Sequence, residues 1–136
     1  MTVYLDTFVF MDILSGNDEF AAKAAAKIAS LTKDNKGVVS SIVLEELCYH
    51  IERRQKERAE EIMFYLHELP LTIIPVSAEI AQRAGLLRAT YHRTLTSVFT
   101  YIDCIHIATA LAAQCEKFIT GDKKFGEVRD IPVELY

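Results

Sequence analysis

The sequence contains few cysteines, and they follow no recognisable pattern. Cys48, Cys104 and Cys115 are an odd number in a chain of 136 residues, are irregularly spaced and include no CxxC pair. This spacing argues against a disulfide framework and gives no indication of a zinc site. We expect the three thiols to behave as small buried hydrophobic side chains.

Long apolar runs are also missing. No uncharged stretch is long enough to cross a bilayer, and the apolar fraction of 51% and charged fraction of 25% are typical of water-soluble domains. The chain reaches Asp6 without a basic leader, so no secretory signal is visible. Because repeats, low-complexity tracts and linkers are absent too, we expect residues 1–136 to form one domain without a membrane anchor, in the cytoplasm.

The sequence has no excess of positive charge. Its formal net charge is −4, so the chain as a whole does not attract nucleic acid, and RNA binding would need local basic patches. Basic residues cluster between Arg53 and Arg58 and between Arg88 and Arg93. We interpret both clusters as solvated helix faces, the commoner origin of such runs.

What the sequence does contain is an alternation of apolar strands and helices. Short apolar runs predict strands at residues 3–5, 38–39, 71–74 and 117–120, with a fifth at 133–135. The helices predicted between them span residues 8–14, 17–31, 41–51, 56–69, 77–91 and 101–113. This alternation predicts an α/β fold, a three-layer α/β/α sandwich with a central parallel sheet of four to five strands.

Acidic residues gather at one edge of the predicted sheet. Asp6 and Asp122 directly follow the first and fourth strands, and Asp103 lies in the first turn of an otherwise apolar helix. Ligands of open parallel sheets bind outside the carboxyl ends of the strands, so these side chains are expected to meet. Buried carboxylates repel one another, whereas Mg²⁺ prefers oxygen ligands. The pattern therefore predicts a metal site suited to phosphodiester hydrolysis.

A fourth acid comes from the helix after the second strand, where Glu45 and Glu46 compete for one role. The apolar residues of this helix define its predicted core face: Leu44, Leu47, Cys48 and Ile51. At about 100° per residue, Glu45 falls on the flank of that face and Glu46 nearly opposite it. The helical wheel alone does not choose between them.

The central apolar helix also carries His106 and Cys104. Neither has neighbours at spacings typical of a metal site. We interpret both as packed core residues.

Four short motifs resemble those of the PIN domain family, especially the VapC-type toxins of bacterial and archaeal toxin-antitoxin pairs. They are Asp6-Thr7-Phe8-Val9, Val43-Leu44-Glu45-Glu46-Leu47, Asp103-Cys104-Ile105-His106-Ile107-Ala108-Thr109-Ala110 and Thr120-Gly121-Asp122-Lys123-Lys124-Phe125. They are similar to the family patterns D-[ST]-x-[VI], V-x-x-E-[LV], D-x-x-[IH]-x-A-x-A and T-x-D-x-x-F. Each motif is weak alone, but together they cover nearly the whole chain in the family's order and spacing.

The resemblance implies a site and an activity. The acidic metal site would be formed by Asp6, Glu46, Asp103 and Asp122, with Thr7 and Thr120 supporting it by hydrogen bonds. Glu46 is selected because it immediately precedes Leu47. The resemblance further implies dependence on Mg²⁺ or Mn²⁺, homodimers, an antitoxin partner, and cleavage of RNA to 5′-phosphate and 3′-hydroxyl ends. Gly121, where a residue with a side chain is common, and Ile107, where a smaller residue is frequent, depart from the pattern.

Three other functions compete with that of an antitoxin-controlled ribonuclease. One is a PIN nuclease of RNA maturation or turnover without an antitoxin, which the absence of an upstream gene for a small DNA-binding protein would favour. Another is a non-catalytic PIN-like domain that binds RNA or protein, but such a domain would be expected to have lost acids. An Asp-nucleophile phosphatase is disfavoured because Phe8 stands where that chemistry needs a second acid.

Overall fold

The computed structural model describes the backbone of residues 1–136 and every side chain except that of residue 18. The strands are β1 Thr2–Leu5, β2 Lys36–Ser40, β3 Leu71–Ile74, β4 Lys117–Thr120 and β5 Val133–Leu135. The α-helices are α1 Thr7–Ser15, α2 Asp18–Ala29, α3 Ser41–Arg54, α4 Ala59–Glu68, α5 Ala78–Thr94 and α6 Tyr101–Ala112. Short 3₁₀ helices cover Lys56–Arg58 and Lys123–Glu127.

The five strands form one parallel sheet in the order β3-β2-β1-β4-β5. From β1 the chain builds β2 and β3 on one side, and it then crosses over to build β4 and β5 on the other. The strand order therefore reverses between β1 and β4, and a crevice for a ligand is expected at the carboxyl ends of these two strands.

The sheet separates two hydrophobic cores. Successive side chains of a strand point to opposite faces, and in β1 this places Val3 and Leu5 in the core covered by α1 to α4. Tyr4, between them, lies in the core formed with α5 and α6. The predicted three-layer α/β/α sandwich is confirmed, with five parallel strands.

The predicted helix ends are set by local capping. Gly16 ends α1 in the left-handed conformation, with φ of 75°. Asn17, Ser40 and Ser77 cap α2, α3 and α5, and each side chain accepts a hydrogen bond from a backbone N–H of the first turn. The helix predicted to begin at Lys56 instead starts as a 3₁₀ turn, with the α-helical part beginning at Ala59.

The core face of α3 differs from the predicted one. Its buried residues are Val43, Leu47 and Ile51, whereas Leu44 is half-buried and Cys48 is exposed. The true face is rotated by roughly 50° from the predicted one, because two apolar residues that defined the prediction do not point into the core. The expectation of three buried thiols is therefore wrong for Cys48.

Among the described residues, no helix has both the length and the apolar character needed to span a bilayer.

Aromatic stacking across β1, β4 and the 3₁₀ helix Lys123–Glu127 joins the sheet to the segment beside the crevice. Phe118 is fully buried, stacks on Tyr4 with ring centroids 5.0 Å apart, and lies 4.9 Å from the Phe125 ring. Replacing Phe118 by Ala should lower the free energy of unfolding by about 3–5 kcal/mol, because it leaves a cavity and removes both aromatic contacts. Urea denaturation followed by circular dichroism measures this loss.

Phe64→Ala is the matched control, since Phe64 is 69% exposed. It should change the free energy of unfolding by no more than about 0.5 kcal/mol. Equal losses in the two variants would contradict this account of the core.

Candidate active site

A cleft of about 480 Å³ opens at the carboxyl ends of β1 and β4. Its lining includes all four acids predicted from the sequence: Asp6, Glu46, Asp103 and Asp122. Glu45 is exposed outside the cleft. The core face of α3 is centred on Leu47, so Glu46 lies on its flank and Glu45 lies opposite it. The helical wheel drawn from the sequence used a face rotated from this one, and it therefore exchanged the positions of Glu45 and Glu46.

Asp6 is the most deeply buried of the four acids, with 4% of its surface exposed. It follows β1 and precedes α1, and its Oδ2 accepts a hydrogen bond of 2.7 Å from the Thr120 hydroxyl at the end of β4. Burial raises the pKa of the Asp6 carboxyl, and nearby His106 and the Thr120 hydrogen bond only partly oppose this shift. Thr120 also accepts a hydrogen bond from the Asp122 N–H, at 3.0 Å.

Glu46 lies beside Asp6 and is held through one oxygen. Its Oε1 accepts hydrogen bonds from the Thr7 hydroxyl at 2.6 Å and from His106 Nε2 at 2.7 Å. Partial burial favours the neutral acid, but the hydrogen bond and charge of His106, together with the Thr7 hydrogen bond, lower the pKa of Glu46 overall. Thr7 and Thr120, singled out in the sequence as supporting residues, thus each donate to a carboxylate of the cleft.

His106 forms the floor of the cleft. As expected it is buried, with 1% exposure, but it is also hydrogen-bonded at both ring nitrogens. Nδ1 lies 2.6 Å from the Tyr4 hydroxyl, which itself accepts the Ser40 N–H, while Nε2 bonds Glu46 and lies 3.6 Å from Asp6 Oδ1. Burial disfavours the imidazolium, but the Glu46 hydrogen bond and the Asp6 and Glu46 charges raise the pKa of His106 overall.

Interpreting His106 as a packed core residue therefore missed its polar role. The signal that could have revealed it is Tyr4, because a tyrosine inside a buried strand needs a partner for its hydroxyl.

Asp103 and Asp122 form the other side of the cleft, with Lys124 between them. Asp103 belongs to a capping box: its Oδ2 accepts the Thr100 N–H at 2.8 Å, and its own N–H donates to the Thr100 hydroxyl. Lys124 Nζ lies 2.7 Å from Asp103 Oδ2 and 3.7 Å from Asp122 Oδ2. Burial opposes the ammonium charge, but the Asp103 hydrogen bond and both carboxylates raise the pKa of Lys124 overall. Sequence reasoning did not identify this lysine.

The donor set suits a hard divalent cation. Within the part of the chain whose side chains are described, no three His, Cys, Asp or Glu groups are arranged to coordinate an ion directly. Mg²⁺ keeps several waters and needs only one or two direct carboxylates. Glu46 Oε2 and Asp103 Oδ1 accept no hydrogen bond from the described side chains and backbone, so each residue retains a free oxygen.

Gly121 explains one departure from the family pattern. A Cβ built on this residue would lie 2.7 Å from Asp12 Oδ2 and 2.9 Å from the Tyr136 hydroxyl. These two side chains are joined by a hydrogen bond of 2.5 Å and fill the space that a side chain at position 121 would need.

The chain matches the model of one protein family. The PIN domain model aligns with residues 3–131. A comparison with curated protein sequences returned no match.

Solved structures with the same fold come from bacterial toxin-antitoxin systems. A chain of VapBC2 from Rickettsia felis, bound to a DNA fragment from its promoter, superposes with a TM-score of 0.74 at 23% identity, covering 98% of both chains. A toxin-antitoxin complex from Klebsiella pneumoniae gives a TM-score of 0.72 at 23% identity, covering 95% of this chain and 94% of that one. The Sarcin-Ricin loop cleaving toxin VapC20 of Mycobacterium tuberculosis gives 0.73 at 17% identity, covering 91% and 92%. At these identities the likeness concerns the fold.

The hydrogen bond from Thr120 to Asp6 offers a direct test of the site's electrostatics. Thr120→Val removes the donor and should raise the pKa of Asp6 further, which a carboxyl-carbon NMR titration measures. Stability should fall by about 1–3 kcal/mol at neutral pH, because Asp6 and the Asp122 N–H lose a partner. Since the folded pKa of Asp6 already lies above the ordinary aspartate value of 3.8, the loss should shrink as the pH falls from neutral through the folded pKa toward 3.8.

Thr94→Val is the control, because the exposed Thr94 hydroxyl donates only to the Thr90 carbonyl of its own helix. An unchanged Asp6 titration in Thr120→Val would show that this hydrogen bond does not tune the carboxylate.

Proposed function

Because the chain belongs to the PIN domain family, we propose that it is a metal-dependent endoribonuclease, acting as the toxin of a toxin-antitoxin pair. The observation that carries this proposal is the convergence of four carboxylates, from four separate segments of the chain, in one cleft at the carboxyl ends of β1 and β4. Structural elements that place acids this way concentrate negative charge, which hydrogen bonds offset in part and a bound cation would offset further.

Some residues of the cleft would bind the metal ion, and others support those residues by hydrogen bonds. Asp6, Glu46 and Asp103 would hold Mg²⁺ or Mn²⁺, and Asp122 would contribute through water. When bound, a divalent cation polarises the phosphodiester and lowers the pKa of a water molecule to make it a nucleophile. The protein itself contributes by orienting the carboxylates that would bind the ion.

Two hydroxyl groups supply that orientation. Thr120 fixes one oxygen of Asp6, and Thr7 fixes one oxygen of Glu46. Each carboxylate is thereby held in one rotamer before the ion arrives, which lowers the entropy lost on binding.

The surface supports binding of further proteins. Large apolar side chains are exposed on two regions: Tyr49, Phe64 and Tyr65 on α3 and α4, and Leu86, Val98 and Tyr101 around α5 and the start of α6. Exposed apolar surface of this kind is typical of interfaces. We propose that these regions serve an antitoxin and a second copy of the chain, and that the protein acts in the cytoplasm on RNA.

The first of the two basic clusters is partly neutralised by neighbouring acids. In the cluster between Arg53 and Arg58, Lys56 pairs with Glu52 and Arg58 with Glu61. These exposed ion pairs fit the solvated helix face expected from the sequence. Lys56 and Arg58 are therefore already paired with acids on the protein's own surface.

Cleavage mapping on total cellular RNA tests the activity. The wild type should produce new 5′-phosphate and 3′-hydroxyl ends with Mg²⁺ or Mn²⁺, and EDTA should abolish them. Asp103→Asn should reduce cleavage at least about 100-fold, because it removes a metal-binding charge. The amide oxygen can still accept the Thr100 N–H, so the capping box should survive.

Asp34→Asn is the matched control, because Asp34 is exposed and contacts the N-terminus at the opposite edge of the sheet. It should cleave like the wild type. Full metal-dependent cleavage by Asp103→Asn would show that the site is assigned wrongly.

Expression in a bacterial host tests the toxin role separately. The wild type should arrest growth and Asp103→Asn should not, since the arrest depends on cleavage. Co-expression of a small DNA-binding protein encoded next to the gene should restore growth and yield a complex with the toxin on size-exclusion chromatography. Cleavage in vitro without growth arrest or such a neighbour would favour an RNA-processing nuclease without an antitoxin.

A further inference from the structure

Lys124 is the one cationic ammonium among the lining residues of the cleft. Its Nζ lies 2.7 Å from Asp103 Oδ2 and 3.7 Å from Asp122 Oδ2, and so bridges these two acids of the cleft. A side chain at this place is more than a surface lysine, because it bridges two carboxylates that would otherwise repel each other.

The position of Lys124 is fixed by its surroundings. Its N–H donates to Asp122 Oδ1 at 3.2 Å, which anchors the backbone at the start of the 3₁₀ helix Lys123–Glu127. The ammonium lies 5.7 Å from the Phe125 ring centroid and 6.0 Å from that of Phe99, and both rings are buried. The side chain is 27% exposed. Neighbouring Lys123, by contrast, is exposed and makes no contact with the acids that the structure records.

The ammonium divides the cleft into two halves. In the Asp103–Asp122 half, Lys124 already supplies a positive charge to one oxygen of each carboxylate. In the other half, Asp6 and Glu46 receive their hydrogen bonds from Thr120, Thr7 and His106. Asp103 borders both halves: its Oδ2 contacts Lys124, and its charge also acts on His106, which bonds Glu46.

Phosphodiester-cleaving sites with two metals place the ions about 3.5–4 Å apart, with carboxylates around both. A carboxylate pair that already holds an ammonium has its charge partly neutralised, and a second divalent ion there would have to displace that ammonium against its own positive charge. The geometry favours one divalent ion in this chain rather than two.

We propose that the Lys124 ammonium occupies the place of a second divalent cation between Asp103 and Asp122, so that the cleft binds one divalent ion, at Asp6, Glu46 and Asp103. This inference rests on the proposed metal-dependent function. In it, Asp122 holds Lys124 and the loop that carries it, and acts on the bound ion only through water, not as a direct ligand. Lys124 acts as a charge-compensating residue and forms no bond with the ion.

Counting bound Mn²⁺ tests the proposal without relying on activity. Isothermal titration calorimetry and the electron paramagnetic resonance signal of free Mn²⁺ give the number of ions per chain. The wild type should bind one ion. Lys124→Gln removes the charge and keeps much of the side chain's length, and it should bind two, the second between Asp103 and Asp122.

Two further variants serve as controls. Lys124→Arg keeps the positive charge and should bind one ion, whereas Lys123→Gln removes an equal charge from the neighbouring exposed position and should also bind one. Circular dichroism confirms that each variant is folded. If Lys124→Gln is unfolded, Lys124→Met, which keeps the apolar stem beside Phe99 and Phe125, takes its place.

Metal dependence of RNA cleavage provides the kinetic counterpart. The wild-type rate should rise hyperbolically with Mn²⁺ concentration. The Lys124→Gln rate should be reduced at least about tenfold at low Mn²⁺ and should recover along a sigmoidal curve as the second ion binds. A lysine with a merely structural role would change the maximal rate and leave the shape of the curve unaltered.

The outcomes separate this proposal from the function on which it rests. Two ions in the wild type, or one ion in both the wild type and Lys124→Gln, would overturn the role of Lys124 and leave a metal-dependent nuclease standing. Failure of every variant to bind Mn²⁺ would overturn the metal-dependent function and this proposal together.

Discussion

The structure depends on the burial of a carboxylate where two parallel strands end. Asp6 must be compensated because a charge withdrawn from water costs several kcal/mol even after the protein relaxes. Its compensation comes from Thr120 at the end of β4 and from His106 in α6. Thr120 reaches it because β4 pairs directly with β1, and His106 reaches it from α6, which packs on the same sheet. The reversal of strand order between these strands is therefore what makes the acidic cleft possible.

His106 links that cleft to the core. Through Tyr4 it is connected to the middle of β1 and to the Ser40 N–H at the end of β2, so that one chain of hydrogen bonds runs from the sheet to Glu46. Such a network holds its members in fixed orientations when every donor and acceptor is satisfied. The four acids repel one another. The hydrogen-bond network offsets part of that repulsion on the core side of the cleft, and the Lys124 ammonium offsets a further part on the other side.

The fold was largely predictable because its signals are local. The strands are short apolar runs bounded by polar or turn residues, and Asn17, Ser40 and Ser77 cap helices by hydrogen bonds within a few residues. Asp6 and Asp103 could be selected as candidates from their positions, one at the end of a strand and the other in the first turn of an apolar helix, and both line the cleft.

The contacts of the site were less predictable because they join distant segments. Tyr4 and His106 are 102 residues apart in sequence, and nothing in either neighbourhood indicates the other. Glu46 could not be chosen by the helical wheel, because Cys48 is apolar and yet exposed, which displaced the centre of the predicted face. The pairing of Lys124 with Asp103 likewise depends on how a loop folds over a helix, which composition does not specify.

The limited space around Gly121 restricts which substitutions this position can accept. Asp12 and Tyr136, hydrogen-bonded to each other, occupy the volume that a larger residue at 121 would fill. Crowding there would cost about 1–3 kcal/mol unless the pair moved. The contacting atoms are the far ends of the two side chains, so a side chain at position 121 becomes possible once the Asp12–Tyr136 hydrogen bond breaks and both groups turn away. The residue at position 121 is therefore linked to a contact between α1 and Tyr136, and a change at any one of the three positions alters what the other two can accept.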